Sequence, residues 1–179
     1  MNINDAYSHL ALLSASTLGR TAPNPNVSAA IYGADGLLIA DGAHNRTLSS
    51  DHAEVLALEK AGCAAHGATI VVSLEPCNHT GRTGPCSQAL IAAGISRVVY
   101  ATKDPGNESA NGAQTLKDAG VEVIFGVLEE QAKEQGRIWL TAMQKQRPFI
   151  TLKWAQTLDG RSAASDKTSK WITGAEARE

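Results

Sequence analysis

The sequence has little cysteine, few aromatic residues, no excess of positive charge and no long apolar run. Three cysteines among 179 residues are too few for a disulfide framework, so we expect free thiols in a reducing, cytoplasmic compartment. A net charge of −2 and an aromatic content of 4% disfavour nucleic-acid binding, which needs basic contacts and stacking side chains. No segment approaches the ~20 apolar residues of a membrane helix, and "MNINDAYSHLALLSAS" lacks the basic start and the apolar stretch of a secretory signal. We therefore expect a protein that binds neither nucleic acid nor membrane.

The composition is that of a folded chain, with 43% hydrophobic and 19% charged residues. Strand-like and helix-like runs alternate, which predicts an α/β fold with helices on both faces of a sheet. An "ADG" turn between two apolar runs adds an antiparallel hairpin, so the expected architecture is a three-layer α/β/α fold with a mixed, mostly parallel sheet. The predicted elements are a helix over 5–16, hairpin strands within 27–33 and 37–44, a helix from 52, a strand over 68–77, a helix over 85–94, a strand over 96–105, a helix over 112–120, a strand over 121–127 and one long helix over 128–146.

The composition changes at "QKQRPF", residues 144–149, where the regular alternation ends. We therefore expect one domain over residues 1–146 and the beginning of another over 147–179. The second segment contains "FITLKWAQTLDGR", whose apolar and β-branched residues predict a strand followed by a loop.

Three reactive side chains lie at or near the ends of predicted elements. His52 begins a helix, Cys77 ends a buried strand, and Cys86 lies in the first turn of the next helix. Ligands of open α/β sheets bind beyond the carboxyl ends of the parallel strands, so these three side chains are expected to converge there. One imidazole and two thiolates form a zinc donor set, and three protein ligands leave the fourth position open for water.

Glu54 lies two residues after His52, which would place the two side chains on different sides of a regular helix. Side chains of a first turn lean toward the helix N-terminus, so both can still reach a site just beyond it. A carboxylate beside a metal can take a proton from water and pass it to a departing amine. "HAE" and "EPC" match the motif of zinc nucleobase deaminases, although eight residues separate Cys77 from Cys86 instead of two.

Taken singly, these residues have ordinary structural interpretations. A His-x-Glu pair is often a solvated helix start, and a buried cysteine is often a small core residue. The segment "NHTGRTG" is either an anion-binding loop, through Arg82, Thr83 and backbone amides, or an ordinary surface loop. Two other functional classes stay open: a non-catalytic, zinc-stabilised binding module with a closed site, and a deaminase of free nucleosides or of tRNA.

Longer segments extend the match well beyond the zinc motif. They are "TAPNPNV", "GAHN", "HAEVLAL", "VSLEPCNHTGRTGPC", "ALIAAGISRVV" and "KDP" within residues 5–146, then "RPFITLKWAQTLDGR" and "SKWIT" in the tail. In these segments the chain closely resembles the bifunctional deaminase–reductase family of riboflavin biosynthesis. The resemblance implies a cytidine deaminase-like fold and hydrolytic deamination of a diamino-hydroxy-pyrimidine that carries a phosphoribosylamine. It also implies that the tail begins a reductase domain, and that NADPH binds only where that domain is complete.

The resemblance implies roles for individual residues. His52, Cys77 and Cys86 would bind zinc, and Glu54 would carry protons. The implied substrate contacts are Asn24 and His44 on the pyrimidine, His79 and Arg82 on the phosphoribosyl side, and Asp104 on the ribose. In the reductase part, Ala155 and Trp171 would line the NADPH site and Ser169 would contact the product-derived substrate. Paired deaminase domains are common in this fold, so a homo-oligomer, a dimer or larger, is expected.

Three departures from the family pattern fall where substrate is expected to be held. Ser28 replaces a glycine, Gly84 replaces a proline, and Gly106 replaces an asparagine that contacts ribose, a role open to Asn107. None of the three is an expected metal ligand or proton carrier. The sequence therefore predicts the deamination chemistry more firmly than the identity of the substrate.

Overall fold

The structure, a computed structural model, describes residues 2–81, 83–107 and 109–176. A five-stranded sheet with the strand order β2-β1-β3-β4-β5 forms its centre. The elements are α1 (Ile3–Ser16), β1 (Ser28–Tyr32), β2 (Leu38–Ala43), α2 (Ala53–Ala61), a 3₁₀ turn (Gly62–Ala65), β3 (Thr69–Leu74), α3 (Cys86–Ala92), β4 (Arg97–Thr102), α4 (Gly112–Asp118), β5 (Glu122–Phe125), α5 (Glu129–Gln135) and α6 (Arg137–Lys145).

The sheet combines an antiparallel hairpin with a parallel half. β1 pairs antiparallel with β2 on one side and with β3 on the other, where Ala30 lies opposite Val71. β3, β4 and β5 pair in parallel, and Val71 is in register with Val99. Of the five strands, β1 runs against the other four, so the predicted mixed, mostly parallel sheet is confirmed.

The central strands are buried on both faces, because helices cover the sheet from two sides. Alternate residues of a strand point to opposite faces, and each face has its own apolar core. The first core joins the sheet to α2, α3 and α4 through Ile31, Ile70, Val72, Val98, Ala57, Leu90 and Leu116. The second joins it to α1 and α5 through Ala30, Val71, Val99, Tyr7, Leu10 and Ala132. The three-layer α/β/α architecture is confirmed.

The strand β3 ends at Leu74, three residues before the predicted end at Cys77. Pro76 has no N–H group and cannot continue the ladder. The backbone N–H of Glu75 still donates to the carbonyl of Thr102, at 2.8 Å, and after it the chain leaves the sheet. Cys77 therefore lies beyond the edge, on a loop.

The predicted long helix over 128–146 is two helices, α5 and α6, that meet at Gly136. The backbone of Gly136, at φ −84° and ψ 3°, leaves the α-helical region, and glycine is a weak helix former because it loses much backbone freedom. None of the helices in the described ranges has both the length and the hydropathy that crossing a bilayer requires.

The chain divides into two units between Pro148 and Phe149. The second unit forms neither helix nor strand over residues 149–176, and backbone hydrogen bonds close two turns in it, over 157–161 and 164–168. The strand predicted from "FITLKWAQTLDGR" is therefore wrong for this part of the chain. A strand needs a neighbour for its N–H and C=O groups, and residues 149–176 contain no second extended strand to supply one.

Candidate active site

Three predicted zinc ligands lie together at the carboxyl end of β3. His52 is the residue just before α2, with an extended backbone, while Cys77 follows β3 and Cys86 is the first residue of α3. The Nδ1 atom of His52 lies 3.2 Å from Sγ of Cys86 and 3.4 Å from Sγ of Cys77. Bonds of ~2.1 Å to nitrogen and ~2.3 Å to sulfur around a tetrahedral zinc place such atoms about 3.6 Å apart. The donor set and its spacing fit one zinc ion.

The pKa values of the two neighbouring thiols are shifted in opposite directions. Hydrogen bonding from Cys86, through both its thiol and its backbone, lowers the pKa of Cys77 to about 4. The neighbouring Cys77 raises the pKa of Cys86, and burial adds to that effect. The hydrogen bond with Cys77 also raises the pKa of His52. Metal binding needs both thiolates and a neutral imidazole, so it would release the protons that these three groups hold.

Glu54 is buried in the first turn of α2, and burial raises the pKa of its carboxyl to about 7. A carboxyl whose pKa lies near neutrality can both accept and release a proton. Because His52 stands before the helix instead of within it, the i and i+2 side chains reach the same place.

A cavity of about 370 Å³ opens above this cluster. Its wall includes the carboxyl of Glu54, two of the three cluster residues and four of the five predicted substrate contacts. These lining residues are Glu54, His52, Cys77, Asn24, His44, His79 and Asp104. The fifth predicted contact, Arg82, lies outside the described residues.

Asn24 and His44 are joined to each other on one wall of the cavity. Nδ2 of Asn24 lies 3.1 Å from Nε2 of His44, and Nδ1 of His44 lies 2.7 Å from the carbonyl oxygen of Asp51. The His44 ring meets the His52 ring edge to face, with centroids 5.7 Å apart. Burial lowers the pKa of His44, which favours a neutral ring.

His79 and Asp104 lie on loops of the same cavity. The Nδ1 atom of His79 is buried and has no hydrogen-bond partner among the residues that the structure describes. Oδ1 of Asp104 accepts the backbone N–H of Gly106 at 2.8 Å. The backbone N–H groups of Asp104 and Ala113 donate to the carboxylate of Glu75, at 3.3 and 3.1 Å. Glu75 therefore holds this loop in place.

Several lining residues were missed by sequence reasoning. Arg46 follows His44 by two residues, and no pattern in the sequence distinguished it from a surface arginine. Trp139 and Met143 are four apart on α6 and so share one helix face, a spacing that was visible in the sequence. The sequence analysis predicted one long helix here and gave that face no functional role.

The three departures from the family pattern differ in their structural roles. Ser28 is fully buried, and its hydroxyl donates to the Leu10 carbonyl at 2.9 Å and lies 2.8 Å from the hydroxyl of Ser14. It joins β1 to α1 and does not line the cavity, so the expectation that it lies at the substrate is wrong.

The two glycine departures lie in the loops around the cavity. A Cβ atom at Gly84 would meet nothing within 4 Å, so that position is open. A Cβ atom at Gly106 would collide with the hydroxyl of Ser109, a residue that lines the cavity. Ser109 thus occupies the space beside Gly106 into which a longer side chain would extend.

The family model described as the cytidine and deoxycytidylate deaminase zinc-binding region matches residues 1–102. The chain therefore belongs to the family of zinc-binding cytidine and deoxycytidylate deaminases, and the predicted zinc-dependent deaminase is confirmed at this level. A second model, of the RibD C-terminal domain, matches residues 148–179.

The relatives include RibD, the riboflavin biosynthesis protein, as the resemblance predicted. RibD of Aquifex aeolicus is 48% identical over 178 residues, which are 98% of this chain and 49% of the relative. A deaminase/reductase structure from Thermotoga maritima is 42% identical with a TM-score of 0.90, over 96% of this chain and 50% of that one. Acinetobacter baumannii RibD is 44% identical with a TM-score of 0.88, over 98% and 49%. The chain thus spans about half the length of these relatives.

Proposed function

We propose that this chain hydrolyses the amine of 2,5-diamino-6-hydroxy-4-(5-phosphoribosylamino)pyrimidine, giving 5-amino-6-(5-phosphoribosylamino)uracil and ammonia. The observation that carries the proposal is the His52/Cys77/Cys86 cluster, which opens with the Glu54 carboxyl onto one cavity. The Thermotoga maritima structure is described as a diaminohydroxyphosphoribosylaminopyrimidine deaminase, which supports this choice of substrate.

The protein's own residues supply positioning and proton transfer. His52, Cys77 and Cys86 would hold zinc, which supplies the Lewis acidity that makes water a nucleophile near neutral pH. Glu54 takes a proton from the attacking water as the water oxygen bonds to the ring carbon. It then gives that proton to the exocyclic nitrogen as the carbon–nitrogen bond breaks and ammonia leaves. The raised pKa of Glu54, caused by burial, suits a group with both tasks.

The charges around the cavity indicate how the phosphoribosyl part would lie. Glu54 and Asp104 are acidic, whereas Arg46 is the one lysine or arginine that lines the cavity in the part of the chain that the structure describes. Arg46 makes no ion pair within those residues, so its guanidinium remains available for a phosphate. We assign Arg46, with Arg82, to the phosphate. His79, whose buried Nδ1 has no hydrogen-bond partner within the described ranges, is assigned to the phosphoribosyl side and Asp104 to the ribose hydroxyls.

We propose that residues 147–179 begin a reductase domain, which the match to the RibD C-terminal domain supports. Ala155 and Trp171 would then line an NADPH site and Ser169 would contact its substrate, and all three are exposed in the second unit. Since residues 149–176 form no sheet, the 179-residue chain should not oxidise NADPH with the deaminated product. Product-dependent loss of NADPH absorbance would contradict this.

We also propose a cytoplasmic homo-oligomer, a dimer or larger. Cys77 and Cys86 are adjacent free thiols, so an oxidising compartment would threaten the donor set. The edge strand β2 and its approach expose Leu37 and Leu38, which supports association. Light scattering of the zinc-loaded protein measures the mass in solution, and a monomer at micromolar concentration would contradict the proposal.

The central experiment is to incubate the zinc-loaded chain with the phosphoribosylaminopyrimidine and to measure the ammonia released. Free cytidine and a tRNA are the comparison substrates, because a nucleoside or tRNA deaminase would favour one of them. Ammonia from the phosphorylated pyrimidine alone is the expected result. Ammonia from cytidine or tRNA only would contradict the substrate assignment while leaving the deaminase class in place.

A further inference from the structure

A chain of hydrogen bonds runs from a backbone carbonyl through His44 to the amide of Asn24. The Asp51 carbonyl can only accept, so Nδ1 of His44 must carry a proton and donate to it, across 2.7 Å. The Asn24 atom that faces the other ring nitrogen, Nε2, at 3.1 Å is the amide nitrogen Nδ2, which can only donate. Nε2 is therefore the acceptor of this pair, and the two hydrogen bonds together define a ring that is protonated at Nδ1 alone.

This chain decides which end of the Asn24 amide faces outward. An asparagine amide offers an acceptor at one end and two donors at the other, and the two ends have nearly the same shape. With the NH₂ group given to His44, the Oδ1 atom makes no hydrogen bond to any residue in the described ranges. Asn24 lines the cavity, so this oxygen is the atom that it can offer to a ligand.

We propose that His44 is a positioning residue, which fixes the Asn24 amide so that Oδ1 accepts a hydrogen bond from an N–H or NH₂ group of the substrate ring. The inference deepens the proposed function and rests on it for the substrate class. It replaces the expectation that His44 itself touches the pyrimidine. Through His44, the Asp51 carbonyl on the loop before α2 thereby determines which end of the Asn24 amide, on the loop before β1, faces the cavity.

The first test measures the tautomer of His44 without using activity. Zinc-loaded protein labelled with ¹⁵N-histidine is examined by NMR, and the His44 signals are assigned by their loss in His44→Phe. We expect Nδ1 to be protonated and Nε2 to be unprotonated, and we expect the Nε2 resonance to shift in Asn24→Ala. A protonated Nε2, or an Nε2 resonance unchanged by Asn24→Ala, would overturn the proposal.

The second test is a double-mutant cycle on ammonia release. His44→Phe keeps a ring against His52 but cannot accept a hydrogen bond from Asn24. All variants are compared at equal zinc content, because position 44 lies beside a predicted zinc ligand. We expect Asn24→Ala and His44→Phe each to lower kcat/KM by about 10-fold or more. The first variant removes the Oδ1 acceptor of Asn24, and the second leaves the Asn24 amide free to turn that acceptor away from the substrate. The double variant should match Asn24→Ala within about 2-fold, since His44 acts through Asn24.

Effects that multiply in the double variant would mean that His44 contacts substrate by itself, and would overturn the proposal. The matched control is His66→Phe, an exposed histidine beyond the far end of α2, which should leave kcat/KM unchanged. If the unmodified protein releases no ammonia from the pyrimidine, the proposed function fails, and the NMR result still decides the role of His44.

Discussion

The floor and the rim of the cavity are built differently. The floor, defined by His52, Glu54, Cys77 and Cys86, sits at the start of α2, just after β3 and at the start of α3, and three of its four side chains are buried. The rim, which includes Arg46, His79, Gly84 and Gly106, lies on loops between elements. Element ends are held by the core, whereas loops tolerate change. We infer from this comparison that the floor determines the chemistry and that the rim determines the choice of substrate.

The largest effect is expected from removing a floor ligand. Cys86→Ser should lose most of the zinc and nearly all activity, because first-sphere ligands dominate metal affinity. Cys63→Ser is the matched control, since Cys63 is exposed and outside the cluster. Metal content by mass spectrometry and ammonia release are measured on both. Full zinc retention by both Cys77→Ser and Cys86→Ser would show that the floor is not a metal site.

A substitution of Glu54 separates loss of chemistry from loss of metal. Glu54→Gln should keep zinc and fold, because glutamine has nearly the same shape as glutamate. It should lose about 10²–10⁴-fold in kcat, because the amide cannot act as a general acid and base. KM should change far less than kcat. A variant with normal kcat would mean that another group transfers the proton.

A rim substitution should change binding more than turnover. Arg46→Ala should raise KM for the phosphorylated substrate by about 10-fold or more, because a charge-assisted hydrogen bond contributes roughly 1.5–3 kcal/mol. Arg97→Ala, which removes a surface arginine paired with Glu122, is the control and should leave KM unchanged. Equal losses with the dephosphorylated analogue would show that Arg46 does not bind phosphate. The same series with Arg82→Ala tests whether the two arginines share the group.

The smallest effect belongs to a position that is neither floor nor rim. Ser28→Gly should leave KM and kcat unchanged but lower the free energy of unfolding by about 2 kcal/mol, through lost buried hydrogen bonds and a glycine inside a strand. Urea denaturation measures this change, with Ser96→Gly, at an exposed turn, as a comparison. A raised KM in Ser28→Gly would return this residue to the substrate site.

The sequence predicted the floor because its signals are local. His52, Cys77 and Cys86 are rare residue types next to strong start and stop patterns, and their convergence follows from parallel-strand topology. Long-range contacts were out of reach: the partners of Ser28 lie 14 and 18 residues away on another element. The break at Gly136 also depends on how each helix packs, since an isolated glycine inside a helical pattern is often tolerated. In the tail, the apolar and β-branched residues have the pattern of a strand. No strand forms there, because residues 149–176 contain no second strand to pair with it.

The place of His52 just outside α2 also ties two equilibria together. Its side chain makes no capping hydrogen bond to the first turn, so that nine-residue helix begins without the usual side-chain acceptor. The ring is committed instead to the two thiols. Loading of the ion and resistance of the first turn to fraying are therefore one process. The backbone amides around Glu54 should exchange with solvent deuterium faster once the ion is removed, so the order of the helical turn that carries the proposed proton carrier would depend on the metal.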